Sequence, residues 1–184
     1  GLPRAKRWLY DSGTKIPLII RWPGHIRKDV SSRRLISSID FGPTVLSVAG
    51  VPVPKHMQGK AFLGEEAASP RECVFSARDR FDESYDMVRS VRDHRFRYIR
   101  NFYPLKPYVL WVPYRNRMPV MKELLRLDAE GKLTGAQKLW LSDTRPPEEL
   151  YDCMKDPHQI NNLADDPKYK DMLERMRAKL DDWM

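Results

Sequence analysis

The chain has 184 residues, 41% hydrophobic and 10% aromatic, which is enough apolar material for one buried core and excludes a disordered chain. Charged residues make up 32%, mean hydropathy is -0.62, and no window approaches the roughly 18 continuous apolar residues of a membrane helix. Lys and Arg outnumber Asp and Glu by 33 to 25, and the resulting charge of +8 favours anionic partners: polyanionic sugar, nucleic acid and acidic membrane surface are all open on charge alone.

The first residues lack the apolar run of a signal peptide, and the chain reads as though cut from something longer. Lys6 and Lys15 flank a turn at Gly13. Cations and backbone amides gathered at a turn form a cradle for an oxyanion such as sulfate or phosphate. Pro17 to Trp22, closed by Pro23-Gly24, reads as a buried strand and turn, and Arg27 to Arg34 as an exposed loop. Asp40 is placed to cap a helix that begins at Phe41, tolerates Pro43 in its first turn and stops at Gly50. This order of strand, loop and helix is that of an α/β layer.

After the extended connector Val51 to Pro54, Cys73 to Ser76 reads as a second short strand and the charged run Ser76 to Glu83 as the loop that follows it. Met87 to Phe102 alternates like an antiparallel hairpin turning at Asp93-His94. Pro104 to Pro119 is punctuated by proline and reads as an irregular surface excursion, whereas Val120 to Asp128 and Ala136 to Leu141 have helical spacing. Arg145 to Asp152 reads as an edge strand entering a turn at Asp156-Pro157. Pro167 to Trp183 then carries Tyr169, Met172, Leu173, Met176, Leu180 and Trp183 on one stripe of an amphipathic helix. Cys73 and Cys153 are far apart and show no CxxC pattern, so neither a zinc site nor a disulfide framework is indicated.

Several residues carry chemistry in more than one reading. Arg78 and Arg80, on a loop beyond a strand, suit a bidentate grip on sulfate or carboxylate, and Asp79, Asp82 and Glu83 suit acceptance from sugar hydroxyls or an amine. A self-neutralising ion-pair network explains the same charges equally well. His56, in a polar loop, is either a contact to a sulfate or leaving group or a plain surface histidine. Lys15 either touches substrate or pairs with Asp11 or a neighbouring carboxylate. Tyr103, Tyr108, Trp111 and Tyr114 either stack sugar rings or cover an apolar face. His25, His94 and His158 have no companions at metal spacing, and Asp152, Asp156, Asp165 and Asp166 suit turns and caps, so no metal ligand is assigned.

Four segments, in order, resemble the C-terminal portion of sulfatases. They are Lys6 to Gly24; Ile39 to Pro52 with the following His56-Met-Gln-Gly59-Lys60; Val91 to Ile99; and Glu149 to Asp152 continuing through Asp156-Pro-His158 to Asn161-Asn-Leu-Ala164. Met87 to Arg92, the aromatic excursion and the Asp-Pro-His ending are most similar to the heparan N-sulfatase (sulfamidase) branch. On that resemblance Lys6 matches the family's sulfate-contacting lysine, at a position where sulfamidases carry arginine. It would stabilise the charge that develops on the leaving oxygen.

The resemblance implies an alkaline-phosphatase-like α/β fold, an incomplete large sheet domain over residues 1–81 and a small C-terminal antiparallel sheet with a packing helix over 82–184. It also implies a periplasmic or secreted parent that hydrolyses sulfate esters or sulfamates on glycosaminoglycan-type sugars with calcium and a formylglycine nucleophile. No Cys/Ser-x-Pro-x-Arg motif and no calcium acid pairs occur here, so this chain alone is expected to be inactive, with the missing N-terminal part of the same protein as its partner. Sulfated carbohydrate is the expected ligand, with no nucleic acid and no membrane as partner. Two rivals remain at this point: a non-catalytic module for sulfated polysaccharide, and, from the arginine-aromatic hairpin, a nucleic-acid binder.

Overall fold

The computed structural model describes residues 4–184. They fall into two compact units, one of residues up to 17, 76–91 and 95–184, the other of 18–75 and 92–94. Strands β1 (Val74–Phe81), β2 (Ser84–Arg92), β3 (Phe96–Asn101) and β4 (Glu148–Asp152) form an antiparallel sheet in that order. The helices are α1 (Asp11–Thr14), α2 (Phe41–Val48), α3 (Pro113–Asn116), α4 (Pro119–Ala129), α5 (Gly135–Trp140) and α6 (Lys170–Trp183).

In the first unit β3 is the central strand, buried on both faces. Alternation sends Phe96, Tyr98 and Arg100 one way and Arg97, Ile99 and Asn101 the other. The first set meets α6 and its entry: Phe96 packs edge-on against Tyr169 at 6.2 Å, and Arg100 pairs with Asp181 at 2.6 Å. Arg177 grips Glu148 through two bonds of 2.8 and 2.7 Å, while Leu173, Met176 and Leu180 are buried. The second set meets a core of Trp8, Leu9, Tyr10, Tyr108, Leu110, Val112, Met121 and Trp140. Register follows the same logic, with Tyr98 opposite Leu150 and Ile99 opposite Glu149, so like faces stay together.

The charged run Ser76 to Glu83, expected as a loop, is mostly strand β1, and only Asp82-Glu83 turn the chain into β2. Strand pairing wins because Arg78 and Asp79 find partners across the hairpin in Asp86 and Arg89, and Arg78 and Phe81 are buried while Asp79 and Arg80 are exposed. Asp82 takes a φ of 52°, a left-handed turn conformation that Asp tolerates. The Pro-rich excursion is irregular as expected, apart from the single turn of α3.

In the second unit, Asp40 is the hub. Its buried carboxylate accepts from Arg71 Nε at 2.9 Å, Lys60 N at 2.8 Å and Ser37 N at 2.9 Å. Burial would raise its pKa, but the Arg71 bond and the two amides outweigh that and hold it below the usual carboxylate range. Thr44 Oγ1 donates to Asp40 O at 2.6 Å and accepts from Phe62 N at 3.1 Å. Gly59 sits so close to the chain that a Cβ there would lie 2.0 Å from Ile39 O. The Asp-x-x-x-Thr helix and the Gln-Gly segment therefore belong together for packing reasons.

Pro17 to Trp22 is not the expected buried strand. It has no ladder partner among the described residues, and Ile19 is 92% exposed. An apolar, β-prone run becomes a buried strand only where a sheet edge receives it.

Candidate functional site

The Lys6 turn is built on a deeply set anchor. Trp8, Leu9 and Tyr10 are all buried, and Trp8 N closes the turn on Ala5 O at 3.1 Å. Gly13 is required here by close approach, since a Cβ would sit 2.2 Å from both Ala5 O and Trp8 O. Arg4 stacks over Tyr10 at 3.6 Å and donates to His158 O at 3.1 Å and Gln159 O at 3.0 Å, while Asp11 N donates to Gln159 Oε1 at 3.0 Å. Tyr10 OH donates to the buried Glu149 carboxylate at 2.7 Å, which also accepts from Tyr151 OH at 2.6 Å and Asn101 Nδ2 at 2.6 Å. Burial first, then the Glu149 charge, pushes the Tyr10 and Tyr151 hydroxyls well above their usual pKa, keeping them as donors. The first and fourth sequence segments are thus one structural assembly.

On this anchor Lys6 is exposed, and no hydrogen bond or ion pair engages its ammonium among the described residues. Arg7 beside it has a φ of 77°, a sparsely populated conformation for a non-glycine residue, and pairs with Asp82 at the β1–β2 turn. Around the buried Phe81 ring lie three guanidinium groups: Arg115 at 5.0 Å, Arg78 at 5.4 Å and Arg7 at 5.6 Å. Arg115 is buried with no carboxylate partner among the described residues, and its Nε and Nη1 have no hydrogen bond to them. Burial and the charges of Arg78 and Arg7 pull its pKa down to about 10.

The remaining candidates sort differently. Arg78 does not face a ligand: it is 8% exposed, bonded to Asp86 and stacked against Trp8 at 5.1 Å. Asp86, fully buried, is shared with Arg145, whose Nη1 lies 3.0 Å from Oδ2. Burial would raise the Asp86 pKa, but Arg145 and Arg78 outweigh it and hold the carboxylate below its ordinary value. Asp79 pairs with Arg89 across the hairpin at 2.8 Å. Arg80 and Glu83 are exposed, so the cluster divides into a core ion pair, two surface ion pairs and two exposed side chains without an ion pair among the described residues. Of the alternatives for Lys15, Asp11 is held by Arg97 at 2.8 Å, and Lys15 itself is exposed. His56 is an exposed residue of the second unit, whereas the other candidates lie in the first.

The arginines of the hairpin serve packing: Arg97 is buried under the α1 turn, Arg95 binds Asp152 and Arg100 binds Asp181. Asp86, Arg145 and Arg115 carried no signal in sequence, because nothing in their neighbourhoods shows that distant segments bring them together. Among the described residues there is no group of three or more His, Cys, Asp or Glu side chains that could hold a metal ion.

The small antiparallel sheet with its packing helix is the α/β fold of a sulfatase C-terminal region of the alkaline-phosphatase-like class. Residues 4–115 match the family model for the C-terminal part of N-sulphoglucosamine sulphohydrolase, and the chain belongs to that family. It is 48% identical over 183 residues to an ulvan-active sulfatase of Formosa agariphila, covering 100% of this chain and 31% of that protein. It is 30% identical to human N-sulphoglucosamine sulphohydrolase, covering 98% of this chain and 38% of the human protein. A solved 2-O GAG sulfatase shares the fold with a TM-score of 0.57 at 24% identity, over 88% of this chain and 27% of that one. The chain therefore spans about a third of the length of these curated relatives.

Proposed function

We propose that this chain is the C-terminal third of an enzyme that hydrolyses sulfate esters or N-sulfate groups on glycosaminoglycan-type sugars, and that Lys6 supplies the cation facing the sulfate. The observation that carries this reading is an exposed Lys6 ammonium, without a partner among the described residues, on a turn fixed by a buried Trp8-Leu9-Tyr10 anchor. An ammonium held in this way is placed before substrate arrives, and it donates to a sulfate oxygen and stabilises the charge left on the departing oxygen. The nucleophile and the calcium of the family come from outside this chain, and no step is assigned to them here. The exposed Pro17 to Trp22 run supports the same reading, because an apolar β-prone segment of this kind suits the edge of a larger sheet.

Two measurements test the proposal. The 184-residue chain alone is expected to release no sulfate from aryl sulfate or N-sulfoglucosamine. In a full-length protein that carries this chain, Lys6→Ala should lower kcat by about 100-fold, with Lys6→Arg retaining part of the loss. Turnover by the isolated chain, or a Lys6→Ala enzyme of unchanged kcat, defeats the reading.

A further inference from the structure

We infer that the first unit carries a second ligand surface, an aromatic platform that holds the sugar chain of a sulfated oligosaccharide away from the reacting sulfate. The inference rests on the sulfated-sugar reading above and adds to it a place for the rest of the polymer. Tyr108 of the Pro-rich excursion is buried, but Tyr103, Trp111 and Tyr114 are not: Trp111 is 65% and Tyr114 69% exposed. Tyr85, from the start of β2, joins them with 55% exposure.

Contacts join the Tyr85 and Tyr103 rings and bring the Trp111 backbone beside them. Ser84 Oγ donates to Trp111 O at 2.7 Å, fixing the tryptophan backbone beside the start of β2. Tyr85, the next residue, meets Tyr103 edge to face at 5.9 Å. Lys106 Nζ donates to Tyr85 O at 2.6 Å and lies 4.8 Å from the Tyr103 ring centre and 5.7 Å from that of Tyr85. No carboxylate pairs with Lys106 among the described residues. The strip starts two residues beyond Asp82, whose partner Arg7 adjoins Lys6.

Rings held open to solvent suit the apolar C–H faces of sugars, and a cation fixed among them suits a sulfate or carboxylate on the same chain. The surplus charge of +8 points to an anionic ligand rather than a neutral glycan. An apolar protein partner would leave Lys106 without a counter-charge, and is the less favourable occupant.

The test titrates a size-defined heparin hexasaccharide and its desulfated counterpart into the 184-residue chain, reading affinity by calorimetry and tryptophan fluorescence. Trp111→Ala, Tyr85→Ala and Tyr103→Ala should each weaken hexasaccharide binding by about 3- to 10-fold, with Trp111→Phe near wild type. Lys106→Ala should weaken the sulfated ligand selectively and flatten its salt dependence. Tyr85, Tyr103 and Trp111 are exposed and Lys106 is half-buried, and an unchanged melting temperature confirms that each variant is folded.

Affinities that ignore the aromatic replacements overturn the platform, as does a wild-type chain that binds no hexasaccharide, or a protein partner held through Trp111 that the hexasaccharide does not displace. Hydrolysis by the full-length protein is a separate readout. Its absence, with ring-dependent binding intact, refutes the enzymatic reading and leaves the platform standing.

Discussion

Replacing Asp86 with Asn tests whether the core of the first unit depends on one shared carboxylate. Asp86 is fully buried and serves two guanidinium groups, Arg145 through both oxygens and Arg78 through one; both arginines are themselves buried. Asn preserves the shape and removes the charge, so two cations remain in a low-dielectric space without compensation. Breaking a buried pair from one side costs about 3–5 kcal/mol, and the absence of exposure leaves no reason to discount it for solvent screening.

For a chain of this length that loss corresponds to a fall of about 6–20 °C in melting temperature, read by circular dichroism at neutral pH and cross-checked by urea denaturation. The pH dependence carries a second signature. The folded pKa of Asp86 lies below its unfolded value because Arg145 and Arg78 outweigh burial. Its contribution is therefore present above the unfolded value of about 4 and is lost as pH falls through the folded one. Wild type and Asp86→Asn should converge at acid pH, and adding Arg145→Met to the variant should recover part of the loss at neutral pH. A neutral-pH shift below about 2 °C, corresponding to under about 1 kcal/mol, would refute the argument.

Further outcomes follow from single positions. Gly13→Ala should cost about 2–3 kcal/mol by denaturant titration, because its Cβ meets two backbone oxygens at 2.2 Å that no side-chain rotation can relieve. Leu180→Ala, at a fully buried site of α6, should cost about 2–5 kcal/mol through the cavity it leaves, again read by urea denaturation. Tyr151→Phe deprives the buried Glu149 of one of its donors and should cost about 1–3 kcal/mol in the same assay. Arg115→Met should raise the melting temperature by a few degrees, since it removes a buried cation with no carboxylate partner; a fall of that size would mean the guanidinium is better compensated than its contacts imply.

Elements with a strong local signature were legible in the sequence. The β2–β3 hairpin and α6 follow from alternation and from apolar residues at helical spacing; α6 buries Leu173, Met176 and Leu180 of its stripe, while Trp183 at its end is exposed, and β3 is buried on both faces rather than one. The run Ser76 to Glu83 misled because its charges resemble those of a solvated loop. Strand β1 exists there because the ion pairs of Arg78 with Asp86 and of Asp79 with Arg89 are made across the hairpin to β2, a partnership invisible from composition. Pro17 to Trp22 failed in the opposite sense: its residues satisfy the local requirements of a strand but have no sheet among the described residues to receive them.

The candidate site shows the same division between local and tertiary information. Nothing local distinguishes Lys6 from Arg4 or Arg7, and in the folded chain the three basic residues do different work. Arg4 clamps the turn of the closing segment, Arg7 is committed to Asp82, and Lys6 is exposed with no hydrogen bond or ion pair among the described residues. What separates them is the path of the backbone. Gly13 lets it pass against the Ala5 and Trp8 carbonyls, and Trp8, Leu9 and Tyr10 then sink into the core. The turn that reads as a loose anion cradle is thus a rigid mount for one cation. Its rigidity depends on Glu149 and Gln159, which lie far along the chain and reach back to it through Tyr10 and Asp11.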